Sequence, residues 1–76
     1  MNKQTKAVLA ALTRIKKVNP AMSDRAIERD GGICQGTLSQ IRKGKIHATN
    51  RTRDGVSKVL RFEIGAAALR KRFYSK

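Results

Sequence analysis

The chain has no tryptophan, two phenylalanines and one tyrosine among 76 residues. Its interior must therefore be packed with aliphatic side chains, and few rings are left to stack on nucleobases. A single cysteine, Cys34, excludes an internal disulfide. A small fold held without such staples suits a reducing compartment, so secretion is disfavoured and a cytoplasmic location is expected. The longest apolar run, residues 7–12, is too short for a signal-peptide core or a bilayer span. Acidic residues are scarce as well. Five Asp and Glu stand against 18 Lys and Arg, a net charge of +13. Such a charge repels itself in a compact state unless something anionic neutralises it, which makes nucleic acid the leading partner.

The remaining composition, 39% hydrophobic, places the chain above the disordered class. Its length is that of one domain, 1–76, too small for a cleft between modules, so function must lie in a surface. Catalysis finds no support: Ser23 and Ser39 have no base with an orienting acid, and the five acids form no evident acid and base pair. His47 has no Cys, Asp or Glu at metal-ligand spacing, so neither a metal nor a cofactor is expected. No small-molecule substrate or membrane partner is expected either.

Hydrophobic periodicity predicts helices throughout. Over residues 5–18, Val8, Ala11, Leu12, Ile15 and Val18 recur at spacings of three and four among lysines and arginines, and Asn19-Pro20 ends that first helix. Ser23 is an N-cap for a short second helix, with Asp24 suited to the positive end of its dipole and Gly31-Gly32 as its stop. With no strand before it and no lysine at Walker spacing after it, this glycine pair reads as a turn rather than a phosphate cradle. Residues 33–43 then place Cys34, Leu38 and Ile41 on one side of a third helix, which makes Cys34 a buried side chain rather than a redox-active thiol. Gln35, Gly36, Ser39, Gln40 and Lys43 take the other side. Gly44 terminates the helix, and 44–51 read as a solvated loop. Thr52 is expected to cap a fourth helix with Val56, Val59 and Leu60 inside. Glu63-Ile64-Gly65 is read as a break before a fifth helix over 66–73.

The charge is unevenly placed. Three of the five acids, Asp24, Glu28 and Asp30, fall in the second helix, whereas residues 35–58 hold six bases and one acid. A third helix and a following loop nearly free of negative charge are what an approach to phosphates requires.

Two short helices joined by a glycine turn, the second with a polar face and a basic exit, describe a helix-turn-helix. Residues 23–45, SDRAIERDGGICQGTLSQIRKGK, resemble without gaps the DNA-binding motif of the Cro and phage-repressor (XRE-type) family. Ser23 matches the cap of that family's second helix, Ile27 its buried aliphatic, and Gly32 its turn glycine. Leu38 and Ile41 match the inner positions of the recognition helix, and Gly44 its terminator. The match departs at four places. Glu28 stands where the family prefers a small residue, Gly31 where an aliphatic is usual, and Gly36 where a side chain commonly contacts a base. Arg42 replaces a frequent glutamate, so an ion pair to the first helix is expected to be lost.

The resemblance implies an all-α, compact five-helix domain of lambda-repressor-like fold. It further implies a sequence-specific transcriptional regulator that occludes a palindromic operator as a homodimer. Base contacts are expected from Gln35, Gly36, Ser39 and Gln40, since a glutamine amide can engage N6 and N7 of adenine together. Phosphate contacts are expected from Ser23, Arg25, Thr37, Lys43, Lys45, His47, Arg51 and Arg53. Leu69, Phe73 and Tyr74 are the candidates for the dimer contact. Three other functions fit the same charge: an architectural or excisionase-like binder that wedges Phe62, Phe73 or Tyr74 into a minor groove, a small RNA-binding protein, and a binder of an acidic host protein.

Overall fold

The computed structural model describes the backbone of residues 2–74 and the side chains of residues 2–72. Four helices follow one another: α1 (Lys3–Val18), α2 (Asp24–Gly31), α3 (Thr37–Arg42) and α4 (Asn50–Tyr74). The all-α class is as expected, but the count is four rather than five. No helix among the described residues is long and apolar enough to cross a membrane.

The core is the aliphatic cluster that the lack of aromatics demands. Val8, Leu12 and Ile15 from α1, Ile27 from α2, Leu38 and Ile41 from α3, and Val56, Val59 and Leu60 from α4 are buried together with Met22 and Ala48 from the connections. Burying each large aliphatic side chain contributes roughly 1.5–3 kcal/mol relative to exposure. α4 packs mainly on α1 and then on α2, so α3 is an outlying element carried by α2.

Several helix ends among the described residues are satisfied by identifiable groups. The Asn2 side chain accepts the Thr5 N–H at 2.7 Å, and Asn19 closes α1 with its N–H on the Ile15 carbonyl. Ser23 Oγ accepts the Ala26 N–H at 3.2 Å, as expected of the α2 cap. α2 leaves through Gly32, whose N–H meets the Arg29 carbonyl while that of Ile33 meets Glu28. α3 leaves through the same pair of bonds, Gly44 N–H to Ile41 and Lys45 N–H to Gln40.

The bounds of α4 differ from expectation in two ways. The cap of α4 is Thr49, whose Oγ1 accepts the Thr52 N–H at 3.3 Å; Thr52 lies one turn inside and is buried. The break at Glu63-Ile64-Gly65 does not occur. Glu63 is buried and its carboxylate accepts from the Asn19 side-chain amide at 3.3 Å, which ties the middle of α4 to the end of α1. Gly65 costs the helix only about 1 kcal/mol, and the three alanines after it have the highest helix propensity. The fourth and fifth helical segments are therefore one helix of 25 residues, about 37 Å long at 1.5 Å per residue.

The third helix is also shorter than its periodicity suggested. Gly36 stands at φ +86° as its N-cap, a left-handed conformation that a continuous helix from residue 33 cannot contain. Cys34 and Gln35 thus precede α3, and Cys34 is exposed rather than buried. Ile33, rather than Cys34, packs against the core.

Candidate nucleic-acid interface

α3 has a buried side and a free side. Leu38 and Ile41 point into the core, while Ser39, Gln40 and Lys43 are exposed and Thr37 is half-buried at the first turn. Gln35 is exposed on the turn before the helix, and Gly36, as the cap, has no side chain with which to reach a base. Of the four expected base-reading positions, two lie on the helix and two at its entrance.

The bases around α3 divide into free and engaged ones. Arg42 is engaged: its guanidinium grips the Asp24 carboxylate with two hydrogen bonds of 2.8 and 3.0 Å, and Lys16 of α1 lies 4.0 Å from the same carboxylate. The ion pair expected to be lost is rebuilt with the acid on α2. Lys43, Lys45 and His47 are exposed along the exit from α3. That loop is not free throughout, because Ala48 is buried and its N–H donates to Thr5 Oγ1 at 2.9 Å. This buried threonine stands three residues before Val8 on the inner stripe of α1, where its polarity hides it from a reading of apolar positions.

Two grooves flank the helix. One of about 380 Å³ lies between α2 and the turn, walled by Ser23, Arg25, Glu28, Arg29, Ile33 and Gln35. Ser23 Oγ already accepts from its own helix but keeps its O–H to donate. The other, about 170 Å³, brings Arg51 beside Cys34, Thr37 and Thr49. Arg53 is not part of it. Arg51, expected in the loop, belongs to α4 together with Arg53, and two residues along a helix project about 200° apart. Arg51 faces the entrance of α3, and Arg53 leaves the opposite side of α4.

The residue that sequence reasoning passed over as a packing misfit is Glu28. The residue is 4% exposed, and its carboxylate accepts the Leu38 N–H at 2.9 Å. Gly31, another departure, packs its backbone against Gly55 of α4. Among the described residues no group of three or more His, Cys, Asp and Glu is placed to hold a metal ion.

Toward the far end of α4 Leu69 is 56% exposed and Phe62, seven residues earlier, 72%. The side chains of Phe73 and Tyr74 lie outside the described residues. Comparison with protein-family models, with curated proteins and with solved structures gives no match to this chain.

Proposed function

We propose that the chain is a sequence-specific duplex-DNA-binding regulator of transcription, a Cro-like phage or prophage repressor working through a helix-turn-helix made of α2 and α3. One observation carries the reading. α3 buries Leu38 and Ile41 and leaves Ser39 and Gln40 exposed, with Lys43 and Lys45 beyond them, in a stretch, residues 31–53, that contains no acid. A six-residue helix with an amide on its outer face suits a major groove, where the Gln40 side chain engages N6 and N7 of adenine and Ser39 either donates or accepts.

Gln35 reaches the same edge from the turn. Lys43, Lys45 and His47 hold the phosphates on one side of α3; Arg51, Thr37, Ser23 and Arg25 hold them at its entrance. Two copies, joined through the end of α4, occupy the halves of a palindromic operator in a bacterial cytoplasm or nucleoid and repress by occlusion.

A second reading, an architectural DNA binder, draws support from Phe62, whose exposed ring could serve as an apolar wedge and lines a groove with Lys58, Val59 and Asp30. Selection from randomised duplex DNA followed by footprinting separates the two. A symmetric site with half-sites about one helical turn apart is the expected result. Recovery of all duplexes alike, with steep salt dependence, favours bending. Preference for single-stranded RNA at matched salt, or binding nearly independent of salt, would overturn both in favour of an RNA or an acidic protein partner.

A further inference from the structure

α3 is too short to hold itself in place. It has six residues, far below the length at which an isolated helix persists in water. Its N-cap, Gly36, offers no side chain to the orphan amides of the first turn. Leu38 and Ile41 anchor it, but two aliphatic side chains on one stripe fix depth better than rotation about that stripe.

The missing constraints come from α2, and both are acids. Glu28 reaches across ten residues to accept the Leu38 N–H at 2.9 Å, and its own carbonyl accepts the Ile33 N–H at 2.8 Å. One residue thereby holds the exit of α2 and the entrance of α3. A buried carboxylate that accepts a backbone N–H at a helix N-terminus also meets the positive end of the dipole, and a charge-assisted bond of this kind is stronger than a neutral cap. At the other end of α3, Asp24 holds Arg42 by two bonds whose fork geometry fixes direction as well as distance.

We infer that Glu28 is the positioning residue of α3, with Asp24 as the second point, so that the acids of α2 set the angle at which Ser39 and Gln40 meet a base edge. The inference rests on the DNA reading above. Glu28, being buried, acts through Leu38 and not by touching nucleic acid. Base readout depends on angle, whereas attraction to phosphates does not. Disturbing the tether therefore degrades discrimination and spares the non-specific grip.

The test uses the full chain, with competition binding to the selected duplex and to a scrambled one, and hydrogen exchange of the Leu38 amide in the free protein. Glu28→Ala is expected to lower the ratio of the two affinities by about tenfold or more, to leave scrambled-duplex affinity within about twofold, and to speed Leu38 exchange. Glu28→Gln keeps an acceptor oxygen and should retain most of the ratio. If Glu28→Ala does not fold, Glu28→Asp, one methylene short of Leu38, is expected to show the same loss. Unchanged Leu38 exchange, or equal losses on both duplexes, would overturn the inference. A wild-type chain for which selection returns no preferred duplex overturns the DNA reading itself, and that result precedes any variant.

Discussion

Gly31 at the end of α2 and Gly55 in α4 meet backbone to backbone, so closely that a methyl carbon on Gly55 would stand 2.5 Å from the Gly31 carbonyl oxygen. The reverse substitution would bring a methyl at Gly31 to 2.9 Å from the Gly55 oxygen. No real side chain tolerates that proximity to backbone, so α2 and α4 must separate if either glycine changes. Gly31→Ala and Gly55→Ala are expected to destabilise the fold by about 1–3 kcal/mol, the usual cost of overpacking. Gly65→Ala, also in α4 but facing open space, should instead stabilise by about 0.5–1 kcal/mol. Urea melts of the three variants check the contrast; effects of opposite sign at Gly55 and Gly65 cannot come from helix propensity alone.

Arg51 and Arg53 provide a test of where the phosphates run. Arg51 shares a groove with Thr37 at the entrance of α3, and Arg53 projects from the other side of α4. Under the proposed function Arg51→Ala and Lys45→Ala each reduce the log-log salt slope of duplex binding by about one unit. Arg53→Ala should leave it nearly unchanged. Fluorescence titrations between low and moderate salt decide the point, and an equal change for both arginines would mean that DNA wraps α4 instead of meeting α3.

The apolar periodicity was enough to find α1, α2, the inner stripe of α4 and the core residues Val8, Leu12, Ile15, Ile27, Leu38 and Ile41. What it missed depended on contacts distant in sequence or on a backbone conformation that residue type alone does not reveal. Glu63-Ile64-Gly65 looks like a break because a charge and a glycine stand together, yet the charge is buried on Asn19, 44 residues away. Gly36 looks like a position on a helix face, but its left-handed φ starts the helix there and leaves Cys34 outside it. Glu28 looks misplaced among packing positions because its partner, the Leu38 N–H, is a backbone group and leaves no trace in the sequence. For the interface, residue types and spacing suggested Ser39, Gln40, Lys43 and Lys45, all of which the structure leaves exposed around α3. The engagement of Arg42 by Asp24 and the divergence of Arg53 from Arg51 follow from three-dimensional placement.

Self-association is expected to run along α4. Phe62, Ala66 and Leu69 stand at spacings of four and three, one above another on a helix, and the small Ala66 lets a second helix approach between two exposed apolar side chains. Phe62→Glu and Leu69→Glu should each shift a dimer toward monomer in sedimentation velocity, while circular dichroism keeps the helical signal of the parent. A dimer unmoved by both substitutions would place the two-fold axis on another surface, and a monomer that persists even on the selected site would remove the palindrome from the proposal.

Reading and gripping should separate at Gln40 and Lys45. Gln40 leaves the exposed side of α3 one residue from the buried Ile41, so its amide is aimed by the helix, whereas Lys45 follows Gly44 on the exit loop. Gln40→Ala is expected to cost about 1–3 kcal/mol on the preferred site and to relax the preference at one or two base pairs per half-site, leaving affinity for a scrambled duplex almost untouched. Gln35→Ala should behave alike if the turn residue reads a base. Lys45→Ala does the reverse: it weakens all duplexes about equally, because a flexible ammonium neutralises a phosphate without regard to the base attached to it. Competition assays of each variant against both duplexes measure the difference. Equal losses on the two sequences for Gln40→Ala would leave the fold as described and remove sequence-specific repression, since an architectural binder shows only the gripping behaviour.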